Sequence, residues 1–402
     1  MPLTYDDFVR LLEGVRLPAL LVDLDAFDEN LERVLARAPS RLPLRVATKS
    51  LRVPRLIGRL FDRGRGRLRG LMCYAVEEAA LLAREGFDDL FVAYPIAQER
   101  DAITAAKLAE EGVTIAIAVD DVVHLELLSR AAVARNVRLR AVLCLDMSLR
   151  LAGDRLHFGV RRSPIATTKD AIALGRAATK LPGVVLHGVM GYEAQVAGLP
   201  DDRPGDLGRF VKRAVRRASI GVVRERRAEI VHALRADGHA IVLVNGGGTG
   251  SLESTAGDPI VTEISCGSAF FKPHTFDHFT SASVRELSPS CFFALEVTRT
   301  PARGFVTCLG GGYIASGPPS ATTAPLPWLP EGMSFVVSEW AGEVQTPIKI
   351  PPGVRVGIGD PIVFRHAKAG EICERFHEAI LIAGGKVVDR APTYRGMGAC
   401  FF

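Results

Sequence analysis

The sequence predicts a closed (β/α)8 barrel followed by an all-β domain. Three observations carry this expectation. Eight short apolar, β-branched runs recur between residues 44 and 265. Helix-patterned segments fill most of the gaps between them. After Phe271 the helical patterns stop, and only strand-like runs separated by turn residues remain. Near-continuous apolar runs suit parallel strands covered on both faces. Eight strand-then-helix units in this span match a barrel, whose usual length is about 250 residues. A doubly wound open sheet is the alternative.

The first run is LRVAT (44–48). It is followed by GLMCYA (70–75), DLFVAY (89–94) and TIAIAV (114–119). LRAVLCL (139–145), VVLHGVM (184–190), AIVLVN (240–245) and IVTEIS (260–265) complete the set. Helices are expected over 76–86, 97–112, 120–136 and 168–180. Gly86 stands where a helix would stop. The stretch 191–210 is rich in Gly, Asp and Pro. After a barrel strand it reads equally as a lid over the catalytic face or as a surface excursion. The helix around 211–235 carries Lys212, Arg213, Arg216, Arg217, Arg224, Arg226, Arg227 and Arg235. With no interleaved aromatics, these read as a solvated outer face. The strand runs after Phe271 enclose a Pro-rich loop at 317–332.

Composition narrows the function classes. The chain has 402 residues, 48% of them hydrophobic and 24% charged, which is a globular balance. Fifty Lys and Arg against 45 Asp and Glu leave a net charge of +5, which demands neither a nucleic-acid nor a membrane partner. No apolar run approaches the roughly 20 residues of a membrane helix. The polar N-terminus is unlike a signal peptide. Seven scattered cysteines with no CxxC point to a reduced, cytoplasmic protein.

Two features carry chemistry. Lys49 ends the first strand run, in RVATKS, where a barrel delivers side chains to its C-terminal mouth. A lysine amine that is partly desolvated loses basicity and can form a Schiff base. NGGGTGS, Asn245 to Ser251, follows the seventh run, and SCGSAFF follows the eighth. Glycine-rich backbone there can converge on an anion, and loops after strands seven and eight commonly build a barrel's phosphate site. A reactive amine facing a phosphate cradle points to pyridoxal 5'-phosphate, which carries both an aldehyde and a phosphate.

The ordered motifs LPALLVDLDAFDENLERV, LRVATKS, CYAVEEAALLAREGFDDLFVAYP, CLDMS, HGVMGYEAQ, NGGGTGS and TEISCGSAFF resemble the fold-type III pyridoxal-phosphate enzymes. The resemblance is to the D-threonine aldolase and D-serine dehydratase family, including its amino-acid deaminase/aldolase branch. GIGDPIVFRHAKAGEICERF and GGKVVDRAPTYRG extend it into the β-domain.

The resemblance implies an alanine racemase-like barrel over residues 21–275 and a β-domain over 276–402. Residues 1–20 would pack on that domain. It implies Lys49 as the cofactor lysine and Asn245, Gly248, Thr249, Gly250, Gly267 and Ser268 as cofactor contacts. His157 stands where relatives place an arginine against the pyridine nitrogen; Arg150 and Arg161 are substitutes. Tyr192 is the proton-transfer candidate. The family's histidine two residues before the lysine is Ala47 here.

Counting from the Gly359–Asp360 turn puts Lys368 and Gly370 where metal-dependent relatives keep two ligands. No divalent metal is therefore expected, and Lys368 would supply the positive charge. A displaced site from His366, Glu371 and Cys373 is the alternative. The implied function is a pyridoxal-phosphate lyase on a small, D-configured β-hydroxy amino acid, by aldol cleavage or by dehydration and deamination. An amino-acid racemase and a non-catalytic cofactor carrier are the alternatives. A head-to-tail homodimer is expected, because one subunit's β-domain could close the other's barrel mouth.

Overall fold

A computed structural model describes residues 2–151 and 155–401. All eight expected runs form the strands of one closed parallel barrel. In chain order these are β2 (Leu44–Ala47), β3 (Leu68–Cys73), β4 (Leu90–Val92), β5 (Ile115–Val119), β6 (Leu139–Cys144), β9 (Val184–Gly191), β10 (Leu243–Gly246) and β11 (Glu263–Cys266). Closure is made by β11 pairing with β2, Ser265 opposite Arg45. The barrel excludes the open-sheet alternative. A small antiparallel hairpin, β7 (Leu149–Leu151) with β8 (Leu156–Phe158), rises from the loop after β6.

Before the barrel come α1 (Tyr5–Leu11), β1 (Ala19–Asp23) and α2 (Leu24–Arg37). Outer helices α3 (Pro54–Arg63), α4 (Val76–Arg84), α5 (Glu99–Glu110), α6 (Val122–Ala134) and α7 (Thr168–Lys180) alternate with the strands. The short α8 (Ala194–Ala197) precedes the 28-residue α9 (Arg209–Ala236). α3 was not among the expected helices. Its PRLIGRLFDR sequence places proline in the first turn, where its missing N–H costs nothing, and buries Leu56, Ile57 and Leu60.

The all-β region is one nine-stranded sheet. It contains β12 (Cys291–Ala302), β13 (Phe305–Leu309), β14 (Leu326–Leu329), β15 (Ser334–Phe335), β16 (Gln345–Lys349), β17 (Pro361–Arg365), β18 (Glu378–Ala383) and β19 (Lys386–Pro392). β14 lies within the expected Pro-rich loop. The N-terminal β1 inserts between β12 and β18, so the expected break at residue 20 falls inside a strand. The chain thus begins in the β-region and ends there, with the barrel between. Phe27 of α2 contacts Phe270 and Phe271 at 5.9 and 6.0 Å, seating that helix on the barrel's last turn.

The basic helix α9 differs from its expected role. Arg227 is fully buried, with Nη1 donating to Asp258 at 2.6 Å and Nη2 to Glu193 at 3.2 Å and to the Gly191 carbonyl at 3.0 Å. Arg216 donates to Asp201 and to the Gly250 carbonyl, and Arg226 donates to the carbonyls of Asp146 and Ser148. These guanidinia turn inward and hold the loops of the barrel's C-terminal face. Arg217 and Arg224 remain exposed.

Removing the buried cation would leave Glu193 and Asp258 unpaired inside the protein. Arg227→Leu should therefore lower the unfolding free energy by about 3–5 kcal/mol, while Arg217→Ala should change it by less than about 0.5 kcal/mol. Urea unfolding followed by circular dichroism measures both, and equal midpoints for the two variants would contradict the buried-triad reading.

Candidate active site

The C-terminal ends of the barrel strands open into a cavity of about 490 Å³. Lys49 sits in a single 3₁₀ turn, Thr48–Ser50, directly after β2. Its side chain is open to the cavity, and the walls surround it on nearly every other side. Poor solvation, then the charges of Arg162, Arg52 and Lys368, pull its amine down to about 8. No hydrogen-bond acceptor engages the Nζ atom among the described residues.

The backbone of Lys49 is fixed from the β-region. Arg52 Nε donates to its carbonyl at 3.0 Å, and Arg52 Nη1 donates to Glu374 at 2.8 Å. Gly370 lies directly against it, in the left-handed region at φ +85°. A Cβ built there would stand 1.9 Å from the Lys49 carbonyl oxygen. The Cys373 thiol donates to the Leu51 carbonyl at 3.1 Å.

Across the turn from Lys49 lie the two glycine loops. Gly248, Thr249, Gly267 and Ser268 line the cavity, with Gly247 and Ser50 beside them. A Cβ on Gly267 would approach the Ala47 carbonyl to 2.6 Å, and one on Gly248 would press on Ala197 and the Tyr192 ring at 3.1 and 3.2 Å. Gly267 must be glycine for its loop to come this close, and a side chain at 248 would have to displace Ala197 and the Tyr192 ring slightly. The Ser268 and Ser50 hydroxyls pair at 3.0 Å.

Glu193 braces the first loop from behind. It accepts from the Gly247 amide at 3.3 Å and from the Ser251 hydroxyl at 3.0 Å. Asn245 also reaches the cavity, but its amide nitrogen is spent on Glu263 and Ser265 at 2.7 and 2.8 Å. Gly250 does not line the cavity. It packs under the Ala197 carbonyl, and its own carbonyl accepts from Arg216.

Tyr192, at the end of β9, lines the cavity, and burial pushes its phenol up. His157 does not reach the cavity lining. It stands opposite Arg150 on the β7–β8 hairpin, and its buried Nε2 has no hydrogen-bond partner among the described residues. The arginine facing the cavity is Arg162, which sequence reasoning missed in favour of His157, Arg150 and Arg161. Arg161 is exposed, and Arg150 pairs with Asp146. Arg162 stacks over Tyr192 at 5.1 Å and Tyr94 at 5.6 Å.

Lys368 lines the cavity from the β-region side, its ammonium held by the Ser316 hydroxyl at 2.9 Å and lying 4.0 Å from Glu371. The displaced metal set does not converge. His366 is buried beside a second cavity, its Nδ1 donating to the Cys291 carbonyl, and burial drops its pKa to about 3. Glu371 accepts from the Ser316 amide and hydroxyl, both at 2.7 Å. Cys373 is engaged with Leu51. No group of three His, Cys, Asp or Glu able to hold a metal occurs among the described residues. At Gly370 a ligand side chain would collide with Lys49.

These residues fit pyridoxal 5'-phosphate. A lysine amine of lowered basicity and a close-packed glycine cradle face one cavity, as the cofactor's aldehyde and phosphate require.

A closed barrel with a lysine at the end of its first strand, joined to a sheet that recaptures the N-terminal strand, defines the alanine racemase-like fold. Residues 22–273 match the family model for the alanine racemase N-terminal domain, and the chain belongs to that family. A 3-hydroxy-D-aspartate aldolase from Paracoccus denitrificans is 27% identical over 263 residues, which are 64% of this chain and 60% of that protein. The chain thus spans 60% of the length of that curated relative. The crystal structure of D-threonine aldolase from Filomicrobium marinum superposes with a TM-score of 0.80 at 21% identity, covering 96% of this chain and 97% of that one. D-threo-3-hydroxyaspartate dehydratase from a Delftia species gives 0.73 at 18% identity, covering 95% and 98%. At such identities the two structures show the fold.

The amine's environment has a measurable consequence. In cofactor-free protein, acetylation of Lys49 should rise with pH through about 8, because only the neutral amine reacts and its pKa lies below the ordinary 10.5. Peptide mass spectrometry across pH 6–11, with surface lysines as internal references, would show it. A midpoint shared with the surface lysines would refute the lowered basicity.

Proposed function

We propose that the protein is a pyridoxal-phosphate-dependent lyase acting on a small β-hydroxy amino acid, by elimination of the hydroxyl and release of ammonia. The observation that carries this is one cavity that joins Lys49, the glycine cradle and a protonated phenol, with neither histidine nor carboxylate among the described residues that line it. The relatives' names, which concern D-configured hydroxy amino acids, support the substrate class and its handedness.

Lys49 would hold the cofactor covalently. Gly248, Thr249, Gly267 and Ser268 would hold the phosphate, and Glu193 keeps the first loop in place. When bound, the cofactor would supply an aldehyde for amines and a ring that accepts electrons from the substrate's Cα. Lys49, once displaced, is the amine beside Cα. Its basicity, already lowered in the empty site, suits it to proton transfer at Cα.

Tyr192 stays protonated because burial raises its pKa, so it can give a proton to a departing hydroxide. Aldol cleavage needs a base for the β-hydroxyl proton. The family's histidine is Ala47, and a phenol that stays protonated cannot take the proton. Lys368 would supply the fixed positive charge that a divalent ion gives elsewhere. The β-region already lines the mouth of its own barrel through Ser316, Thr323 and Lys368; a homodimer whose further loops would shield that mouth from water is part of the proposal, because carbanion chemistry needs water excluded. The cytoplasmic location is supported by seven cysteines that form no disulfide.

Borohydride reduction should leave the cofactor on the peptide containing Lys49, and Lys49→Ala should abolish attachment. Incubation with D-β-hydroxy amino acids should yield keto acid and ammonia. Aldehyde and glycine as the main products would sink the elimination branch, and attachment at another lysine would sink the site.

A metal-free mechanism should also survive chelation. Turnover after dialysis against EDTA should equal turnover before, and Lys368→Ala should lose roughly tenfold or more, as removal of a charge-stabilising donor does. Loss on chelation with recovery on adding Zn²⁺ or Mn²⁺ would contradict this role.

A further inference from the structure

We propose that Glu78 is a positioning residue for Lys49: its buried carboxyl ties the C-terminal segment, residues 393–401, onto the turn that carries the lysine. The proposal rests on the reading of Lys49 as the reactive amine and says what holds its backbone in place.

Glu78 stands in the first turn of α4 and is wholly buried. One carboxyl oxygen accepts from the Tyr74 amide at 2.7 Å, the ordinary work of a glutamate at a helix start. Such a cap needs no burial, and a carboxyl is costly to bury. The second oxygen shows what the burial serves. It accepts from the Tyr394 hydroxyl at 2.9 Å, across 316 residues of sequence. Tyr394 is itself fully buried, and its amide donates to the Arg52 carbonyl at 2.9 Å. Arg52 in turn holds the Lys49 carbonyl, and its guanidinium lies over the Tyr74 ring at 5.2 Å. Glu78, Tyr394, Arg52 and Tyr74 thus form a closed circuit, and the Lys49 backbone hangs from its Arg52 member.

Two further observations make the circuit more than a packing contact. Arg52 adopts the left-handed region at φ +55°, which a residue with a side chain holds only when its surroundings impose it. The Tyr394 amide imposes it, together with the Thr48 carbonyl, which accepts from the Arg52 amide at 3.0 Å. The segment is also pinned at both ends. The Thr393 hydroxyl donates to the Phe376 carbonyl at 2.5 Å, and Phe401 packs edge-on against Tyr74 and Tyr394 at 6.1 and 5.5 Å. Opening the segment would let Arg52 relax, release the Lys49 carbonyl and withdraw one of the charges that depress the amine.

The carboxyl faces Thr48 from the Lys49 turn, Cys73 and Tyr74 from the end of β3, and Tyr394 from the C-terminal segment. It also faces Arg52, whose charge is shared with Glu374. Burial outweighs these partners and pushes the carboxyl from 4.5 up to about 7. A carboxyl raised in the closed state favours closure while it is protonated. That contribution is complete below about 4.5 and is lost as pH rises through about 7. The segment is therefore held more tightly on the acid side of neutrality than on the basic side.

The test uses the full chain in two states. In cofactor-loaded protein, hydrogen exchange corrected for intrinsic rates follows the protection of the 393–401 amides. In cofactor-free protein, acetylation follows the Lys49 amine. Tyr394→Phe cuts the link and leaves the start of α4 intact. It should lower the protection roughly tenfold, as loss of one buried hydrogen bond does, and move the Lys49 midpoint up from about 8 toward 10.5. Phe401→Ala, at the half-buried end of the segment, should act in the same direction and serves if Tyr394→Phe does not fold. Glu78→Gln keeps hydrogen-bonding capacity and removes the titrating proton. It should hold the midpoint near 8 and abolish the fall in protection across neutral pH.

Wild-type protection and midpoint in Tyr394→Phe would overturn the proposal. So would lowered protection with an unmoved midpoint, since the segment would then not act on Lys49. A fall in protection across neutral pH that persists in Glu78→Gln would overturn it too, because another group would be titrating. Cofactor attachment at a lysine other than Lys49 would instead refute the site of the lyase reading and leave the clasp on the Lys49 turn standing.

Discussion

The carbonyl of Lys49 is where the two parts of this chain are fastened together. Arg52 reaches it from the barrel side while gripping Glu374 of the β-region, and Gly370 lies against it with no room for a Cβ. Cys373 closes the same junction on the Leu51 carbonyl. The position of the reactive amine is thus set by a tertiary contact between distant stretches of sequence. A strand end alone would leave a flexible lysine. Here the turn that carries it is gripped from outside the barrel, so the backbone of Lys49 is fixed and its side chain opens into the cavity.

The same economy governs charge. The acids behind the barrel wall are occupied with structure: buried Glu263 and half-buried Asp89 with Arg45, buried Glu193 and Asp258 with Arg227. Among the described residues, the charged groups that line the cavity are all cations. Burial first, and then this unbalanced set of positive groups, lowers the Lys49 pKa, and the same charges attract anions. The ionic braces stand behind the cavity wall. Glu193 turns the glycine loop inward through its backbone amide, and Arg227 keeps Glu193 from turning away.

Much of this was legible in the sequence, because local patterns specify it. Eight β-branched runs gave eight strands, and the glycines of NGGGTGS and SCGSAFF marked close backbone approach. Lys49 followed from its place at a strand end. What was not legible depends on long-range contacts. The pair Arg161–Arg162 offers two equivalent residues, and the Ser163 hydroxyl bond to Cys144 decides which faces inward. Arg227 looked like part of a solvated basic face, yet it shares a helical face with the buried Val223, Ile230, Val231 and Leu234, a register that could have singled it out. Gly370 read only as the loss of a ligand. Its reason is steric and lies 321 residues away, in the backbone of Lys49.

That steric reason bears on how the site carries its chemistry. A liganding side chain at 370 and the present packing of Lys49 cannot coexist, since the Cβ would overlap the carbonyl oxygen. Giving up the ligand lets the β-region segment close onto the Lys49 turn, and the ammonium of Lys368 then occupies the cavity wall, held by Ser316. A fixed ammonium differs from a divalent ion in one chemical respect: it stabilises negative charge, but it cannot acidify a bound hydroxyl as a metal does. With alanine at 47 as well, the lining among the described residues offers no imidazole or carboxylate, and a buried phenol and a fixed ammonium are the groups it presents beside Lys49.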